Sequence, residues 1–138
     1  MTLLKKLIAS LVLLPGLVLA AESNFPLDHA PDRTKDLASL QNGARLFVNY
    51  CLSCHAASSL RYNKLQDLGL TEEQIKNNLL FTSDKVGGMM TIAMAPKDAK
   101  NWFGAVPPDL SVIARAKASG AGSGPDWLYT YLRSYYKD

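Results

Sequence analysis

The stretch NYCLSCHAAS, residues 49–58, contains both cysteines of this 138-residue chain and one of its two histidines. Cys51, Cys54 and His55 follow the spacing Cys-x-x-Cys-His. This spacing is typical of c-type haem attachment, in which two thiols add to the two vinyl groups of the porphyrin and the histidine ligates iron. The motif therefore predicts one covalently bound haem c, with His55 as the metal ligand.

Three other uses of two closely spaced cysteines fit the sequence less well. A disulfide between Cys51 and Cys54 would close a very short loop and stabilise the fold little, because the gain grows with loop length. A redox dithiol belongs at the start of a helix in a βαβ unit, and residues 40–70 show no such alternation. Structural zinc needs four ligands. Besides Cys51, Cys54 and His55 the sequence contains one further histidine, and adjacent residues 54 and 55 rarely both reach one ion. The second histidine, His29, is interpreted as a structural hydrogen-bonding residue.

Residues 1–20, MTLLKKLIASLVLLPGLVLA, have the layout of a secretory signal peptide, with two lysines before an apolar run that ends at Leu19. The run is shorter than the roughly 20 apolar residues that span a bilayer, so cleavage after Ala20 is favoured over a retained membrane anchor. Covalent haem attachment of this kind takes place on the export side of a membrane, which agrees with this prediction.

Residues 21–138 would then form one domain with a modest core. The net charge of +3 falls by two when the lysines of residues 1–20 are removed, and the remaining basic residues are scattered singly. A chain so close to neutrality, without a basic cluster, argues against nucleic acid as a partner.

Hydrophobic periodicity predicts helices on both sides of the motif. A first helix, which delivers Cys51, is indicated by apolar residues at helical spacing: Leu37, Leu40, Ala44, Phe47 and Val48. Thr71, with Gln74 three residues later, forms a capping-box pattern that predicts a second helix over residues 72–81.

The second half of the chain is less regular. Residues 82–108 contain scattered glycines and prolines without a sustained period, which predicts a long functional loop. A helix is predicted to restart at Asp109 and continue to residue 118, and a last helix to begin at Pro125 and Asp126. No strand of useful length is predicted, so the expected fold class is all-α, with cytochrome c-like helices wrapped around one haem.

Taken together, these residues resemble a known family: the chain is similar to bacterial cytochrome c1, the haem-bearing subunit of respiratory complex III. The most particular matches are Arg61-Tyr62 after the motif and the Pro-Pro-Asp-Leu-Ser block at residues 107–111. The resemblance rests on four stretches: FPLDHAPD (25–32), GARLFVNYCLSCHAASSLRYNKL (43–65), IAMAPKDAKNWFGAVPPDLSVIARAK (92–117) and WLYTYLRSYY (127–136).

The resemblance implies roles for particular positions of this sequence. The implied cofactor-binding residues are Cys51, Cys54, His55, Ala105, Pro107, Pro108, Arg115 and Lys117. The first three keep the roles that the motif predicts; the alanine and the prolines would line the haem face, and the arginine and the lysine would meet a haem propionate. Gly43 and Phe47 would lie where the first helix crosses the last.

In this family the sixth iron ligand is a methionine well downstream of the WLYTYLRSYY helix, and a C-terminal membrane anchor follows it. The sequence up to Asp138 contains neither, so the chain is interpreted as a truncated member that holds the proximal half of the haem site. The alternative is a complete, free periplasmic carrier in which Met94 is the sixth ligand. A third hypothesis is a secreted binding module without haem.

The resemblance also implies a function and partners. Electrons would pass from the Rieske iron-sulfur protein to soluble cytochrome c or an equivalent acceptor, within ubiquinol-cytochrome c oxidoreductase. Cytochrome b and the Rieske protein would be the neighbouring subunits. Association with the membrane would come through the complex, on the periplasmic side of the bacterial inner membrane, and no independent catalytic site is expected.

Overall fold

A computed structural model describes residues 25–135, so the predicted signal peptide lies outside the described residues. The predicted helix-rich fold is confirmed. In chain order the elements are α1 (Leu37–Leu46), a π-helical turn (Phe47–Cys51), β1 (Ala57–Arg61), a 3-10 helix (Tyr62–Leu68), α2 (Glu72–Asn78), β2 (Met89–Met90), α3 (Pro96–Phe103), α4 (Ile113–Ala116) and α5 (Gly124–Arg133). Within residues 25–135, no helix combines the length and the apolar character needed to cross a membrane.

Among the described helices, α1, α2 and α5 begin at side chains that accept hydrogen bonds from their first backbone N–H groups. The capping box predicted at Thr71 and Gln74 is confirmed, although α2 ends at Asn78, short of the predicted residue 81. A second capping box, which was not predicted, joins Ser123 to Asp126 at the start of α5. Each box pairs two backbone donors that a helix would otherwise leave unsatisfied.

Two strands correct the prediction that the chain has none of useful length. β1 and β2 pair antiparallel, with Ala57 opposite Met90 and Arg61 opposite Met89. Only the first residue of β1 is buried, so its sequence, ASSLR, lacks the apolar alternation by which a strand is recognised. Tertiary pairing, rather than local pattern, makes this segment a strand.

The hydrophobic core lies directly behind the Cys-x-x-Cys-His segment. Tyr62, Leu52 and Ile75 are its largest fully buried side chains, and the Tyr62 hydroxyl lies 2.9 Å from that of Thr82. The core consists of Val48, Leu52, Ala57, Tyr62, Leu65, Ile75, Leu79 and Met90. Because Val48 and Leu52 flank Cys51, burial of this cluster anchors the turn that carries the thiols.

The predicted loop over residues 82–108 contains a helix, α3, which the sequence analysis did not find. Pro96 occupies its first turn, Ala99 is its buried residue, and Gly104 ends it in the left-handed conformation with a φ of 74°. Conversely, the helix predicted from Asp109 to residue 118 is reduced to α4. The Asp109 side chain accepts hydrogen bonds from Ser58 of β1 and from Ser111 instead of starting a helix.

The position of closest packing also differs from the prediction. Among residues 25–135, a Cβ atom added to Gly43 would meet no heavy atom within 4 Å, so no helix of this part of the chain crosses there. Phe47 packs half-buried against the core instead. At Gly124, by contrast, an added Cβ would lie 1.4 Å from the carbonyl oxygen of Ala114. The glycine that permits close helix contact is therefore the first residue of α5, where it meets α4.

An N-terminal strap, residues 25–31, runs along α5. The amide of Asp28 donates to the Thr130 hydroxyl and the amide of Ala30 to a carboxylate oxygen of Asp126, both at 2.8 Å. Hydrogen bonds from the Ser123 hydroxyl and from the Ala30 amide lower the pKa of Asp126 to about 2. His29 is part of the same contact, because its Nδ1 lies 3.5 Å from Asp126.

Candidate haem site

Cys51 is delivered by an irregular end of the first helix. Asp36 caps α1 at its N-terminus, where its carboxylate accepts from the Ser39 amide at 3.1 Å. At Phe47 the chain widens into a π-helical turn that ends at Cys51. The Leu52 amide closes it by donating to the Phe47 carbonyl at 2.9 Å. π-Helical turns are rare in proteins, and those that occur are often found at functional sites.

One further turn joins the two thiols and the imidazole. The amides of Cys54 and His55 both donate to the carbonyl of Cys51, at 3.1 and 2.8 Å. The three residues therefore belong to a single backbone turn, residues 51–55. Both cysteines are free thiols and partly exposed, so they are open to reaction from solvent.

The His55 imidazole is oriented by a residue far along the chain. Its Nδ1 lies 2.8 Å from the carbonyl oxygen of Pro108. A carbonyl oxygen can only accept a hydrogen bond, so Nδ1 carries a proton, and in the neutral ring the lone pair is on Nε2. An imidazole in this tautomer presents Nε2 to a metal, and a hydrogen bond through the other nitrogen raises its basicity.

The segment after Pro108 binds alongside the segment after His55. The Leu110 amide donates to the Ala56 carbonyl at 2.7 Å, and the Ser59 amide donates to the Ser111 hydroxyl at 2.9 Å. Together with the His55–Pro108 contact, these bonds join residues 108–111 to residues 55–59, which contain the imidazole and the first residues of β1.

Asp109 is the centre of this attachment, and sequence reasoning missed it. Its carboxylate accepts from the amide of Ser58 at 2.9 Å and from the amide of Ser111 at 2.8 Å. Hydrogen bonds from Ser111 and Ser58 hold the pKa of Asp109 far below its usual range. The Asp-x-Ser spacing at residues 109–111 is typical of a local side-chain turn and could have indicated this role.

The other predicted site residues lie in and after this segment. Pro108 is brought to His55, Pro107 is half-buried, and Ala105 lies exposed just after the end of α3. Arg115 is exposed on α4. The ammonium group of Lys117 lies over the ring of Trp127, 4.3 Å from its centroid, so its contact is with α5.

The methionines divide between core and surface. Met90 is buried in the core, whereas Met89 is about half exposed. Met94 is half-buried and lies just before α3 begins at Pro96. Of the three, Met90 is the one that belongs to the core, so Met89 and Met94 could move without opening it.

The residues present fit a c-type haem. Such a group needs two thiols within one turn, a histidine with a free ring nitrogen, and apolar surface for the porphyrin. The first two requirements are met by the geometry of Cys51, Cys54 and His55. Large apolar side chains adjoin the site in sequence and are exposed: Tyr50, Trp102, Phe103, Val106 and Val112.

Comparison with known proteins places this chain among haem proteins of one family. The family model described as "Cytochrome C1 family" matches residues 29–138. Over the whole of this chain, 46% of positions are identical to a protein of Nitrosomonas europaea named ammonia monooxygenase gamma subunit, of which 56% is covered. Over 98% of this chain, 44% are identical to the cytochrome c1 of Allochromatium vinosum, of which 54% is covered.

The chain therefore spans about half the length of the curated relatives it matches. A cytochrome c1 of Rhodospirillum rubrum is 31% identical over 75% of the chain. Membership of a cytochrome family agrees with the predicted cofactor, one haem c. The match over residues 29–138 and the similarity to cytochrome c1 proteins lead to the same conclusion: the chain belongs to the cytochrome c1 family.

Proposed function

We propose that this chain is an electron-transfer protein whose single haem c is bound by thioethers to Cys51 and Cys54 and by His55 as the proximal iron ligand. The observation that carries the proposal is the 2.8 Å contact between His55 Nδ1 and the Pro108 carbonyl, which leaves Nε2 free for iron. A histidine with a merely structural role would not need to follow two free thiols in the same turn.

The protein's own residues contribute orientation and rigidity. When bound, haem c supplies the reversible couple between ferric and ferrous iron. Pro108 fixes the ring plane of His55, and the fixed φ angles of the proline pair limit how far this segment can shift when the charge of the site changes. Ala105 and Pro107 would extend the same wall along the haem face.

The propionate contact is proposed for Arg115 rather than for both basic residues. Lys117 already has a partner, since its ammonium group lies over the Trp127 ring. Arg115 is exposed on α4, a short helix that follows directly from the segment bound to β1. A guanidinium group can also bind a carboxylate through two parallel hydrogen bonds, which an ammonium group cannot.

We infer a place for this protein in ubiquinol-cytochrome c oxidoreductase. Residues 1–20 would act as a cleaved signal peptide, and residues 21–138 would form a cytochrome domain on the periplasmic side of the inner membrane. Electrons would arrive from the Rieske iron-sulfur protein, beside cytochrome b, and leave to soluble cytochrome c. Family membership and the similarity to a protein named cytochrome b/c1 from Bradyrhizobium diazoefficiens support this context.

A second candidate is a subunit of an ammonia monooxygenase complex. One observation favours it, the 46% identity to the protein of that name from Nitrosomonas europaea. Both candidates use the same haem chemistry and differ in the neighbouring subunits. Affinity purification of the full-length chain from its own membranes separates them: cytochrome b and the Rieske protein support the first, and monooxygenase subunits support the second.

The haem proposal is tested by covalent attachment. The chain is expressed with haem-attachment machinery, denatured, and extracted with acidified organic solvent, which removes haem that is not covalently bound. We expect the wild type and the control variant Ser53→Ala, altered between the thiols, to keep their haem, and the double variant Cys51→Ala/Cys54→Ala to lose it. A wild type that loses its haem in this extraction would overturn the proposal.

The free-carrier alternative is tested through Met94. A methionine ligand gives ferric haem c a weak far-red absorption band and raises the reduction potential. If Met94 ligates iron, the band is present in the wild type and in the exposed-residue control Met89→Ala, and it is absent in Met94→Ala. We expect no band that depends on Met94, because the cytochrome c1 assignment takes the sixth ligand from elsewhere.

A further inference from the structure

The junction between α1 and the Cys-x-x-Cys-His turn contains a change of helical register. In an α-helix each amide bonds the carbonyl four residues earlier, whereas the Leu52 amide bonds that of Phe47, five residues earlier. One extra residue rotates everything that follows by about 100° around the helix axis. The direction in which Cys51 points, relative to α1, is therefore set by this single π-helical turn.

Such a turn needs support, because π-helical geometry is rare and an ordinary α-helical turn competes with it. The core supports one side of it, since Val48 and Leu52 are buried there. On the solvent side, the side-chain amide of Asn49 donates to the backbone carbonyl of Arg45 at 2.8 Å. Arg45 belongs to α1 and Asn49 to the π-helical turn, so this bond spans the junction at which the register changes.

Burial in the core does not explain an asparagine at position 49. Its side chain is exposed, and so is that of its neighbour Tyr50. A hydrogen bond from a side chain to the carbonyl one turn earlier is known to bend or loosen a regular helix. At this position, loosening favours the wider turn, which presents Cys51.

We propose that Asn49 is a positioning residue for haem attachment. Its bond to Arg45 holds the π-helical turn and so keeps the Cys51 thiol in register with Cys54 and His55. The inference rests on the proposed function, because it supposes that Cys51 forms a thioether. In that step the thiol S–H adds across a vinyl C=C bond of haem, forming one S–C and one C–H bond, with no net oxidation or reduction.

The chain contains a matched control for this contact. Asn78 makes the same bond, from its side-chain amide to the carbonyl of Gln74 at 2.8 Å, and it is likewise exposed. Asn78 is the last residue of α2, a regular helix without a thiol. A variant at Asn78 therefore removes an equivalent hydrogen bond without touching the register of the motif.

The test compares Asn49→Leu, Asn49→Ser and Asn78→Leu in the full chain, expressed with haem-attachment machinery. A serine hydroxyl can also donate to a carbonyl one turn earlier, so Asn49→Ser should restore the contact. For each folded, purified protein, the position of the pyridine haemochrome α band reports whether one vinyl group is left unreacted. Cys51→Ala provides the reference spectrum for attachment through Cys54 alone.

We expect the fraction of singly attached haem to rise several-fold in Asn49→Leu, and to stay at the wild-type level in Asn49→Ser and Asn78→Leu. Equal fractions in Asn49→Leu and Asn78→Leu would overturn the inference, as would a defect in Asn49→Leu that Asn49→Ser does not relieve. If Asn49→Leu yields no folded protein, Asn49→Ser is compared with Asn78→Leu instead: a larger fraction of singly attached haem in Asn49→Ser would overturn the inference, and equal fractions would support it. A wild type without covalent haem would instead refute the proposed function.

Discussion

The carbonyl oxygen of Pro108 lies 2.8 Å from Nδ1 of His55, although 53 residues separate them in the chain. This one hydrogen bond fixes both the plane and the tautomer of the imidazole. It also joins residues 107–111 to the proposed haem site, through a backbone atom that no substitution at residue 108 removes.

Loosening this backbone should therefore alter the reduction potential. Pro108→Gly keeps the carbonyl but frees its φ angle, so the bond to His55 weakens and the imidazole becomes a weaker donor to ferric iron. We expect the midpoint potential of the holoprotein to rise by about 20–60 mV, up to a tenfold change in a one-electron equilibrium. Redox titration followed in the visible spectrum measures it, with Pro31→Gly as control; an unchanged or lower potential contradicts the role.

Asp109 should make the stability of the site segment depend on acid. Because its pKa is lowered in the folded state, its contribution is complete above the unfolded value of about 3.9 and is lost as the pH falls below it. Because Asp109 is exposed and solvent screens its interactions, Asp109→Asn should lower the stability at neutral pH by no more than about 1 kcal/mol, and it should flatten the acid dependence. Urea unfolding between pH 3 and 7 tests this. Asp98→Asn, on α3, should leave the slope unchanged.

The N-terminal strap should detach when the Asp126 carboxylate is neutralised. The pKa of Asp126 is lowered to about 2 in the folded protein. The stabilisation from the hydrogen bond between the Ala30 amide and the Asp126 carboxylate is therefore complete above about pH 4 and is lost as the pH falls towards 2. In Asp126→Asn at neutral pH, we expect faster amide hydrogen exchange at Asp28 and Ala30, with no change in α2. Thr130→Val should accelerate Asp28 more than Ala30, since it removes only the acceptor of Asp28; equal protection in all three proteins would contradict this.

The core behind the thiols should be sensitive to a single truncation. Ile75 is fully buried in the cluster that also contains Leu52. Ile75→Ala should destabilise the protein by about 2–5 kcal/mol. In Leu132→Ala, altered at a side chain that is 67% exposed, the change should stay within about 0.5 kcal/mol. Chemical denaturation of both variants measures the difference, and similar losses would show that the core is misassigned.

The sequence predicts the parts of this structure that depend on neighbouring residues. The start of α2 is recognisable because Thr71 and Gln74 interact within one turn, and the thiol–imidazole motif because its spacing is local. β1 was missed because its pairing with Met89 and Met90 lies about 30 residues away and leaves no alternation in ASSLR. The role of Asp109 was missed for a similar reason, since its partner Ser58 is 51 residues distant.

Gly43 shows a different limit. A glycine at helical spacing is compatible with a close helix crossing, yet whether another helix arrives depends on the rest of the chain. In the structure that contact forms at Gly124, against Ala114. The sequence shows that a residue is small, but it does not show which helix, if any, packs against it.

The sequence distances of the contacts described above also define an order of assembly. The turn that presents both thiols closes through bonds between residues at most five positions apart. The imidazole gains its orientation only when Pro108 is available, and the strap closes across 102 residues, from Asp28 to Thr130. Because local contacts form before distant ones, a chain emerging from its N-terminus displays reactive thiols while His55 is still free to turn. If haem is bound as proposed, we expect its attachment to the thiols to precede the final orientation of His55 by Pro108.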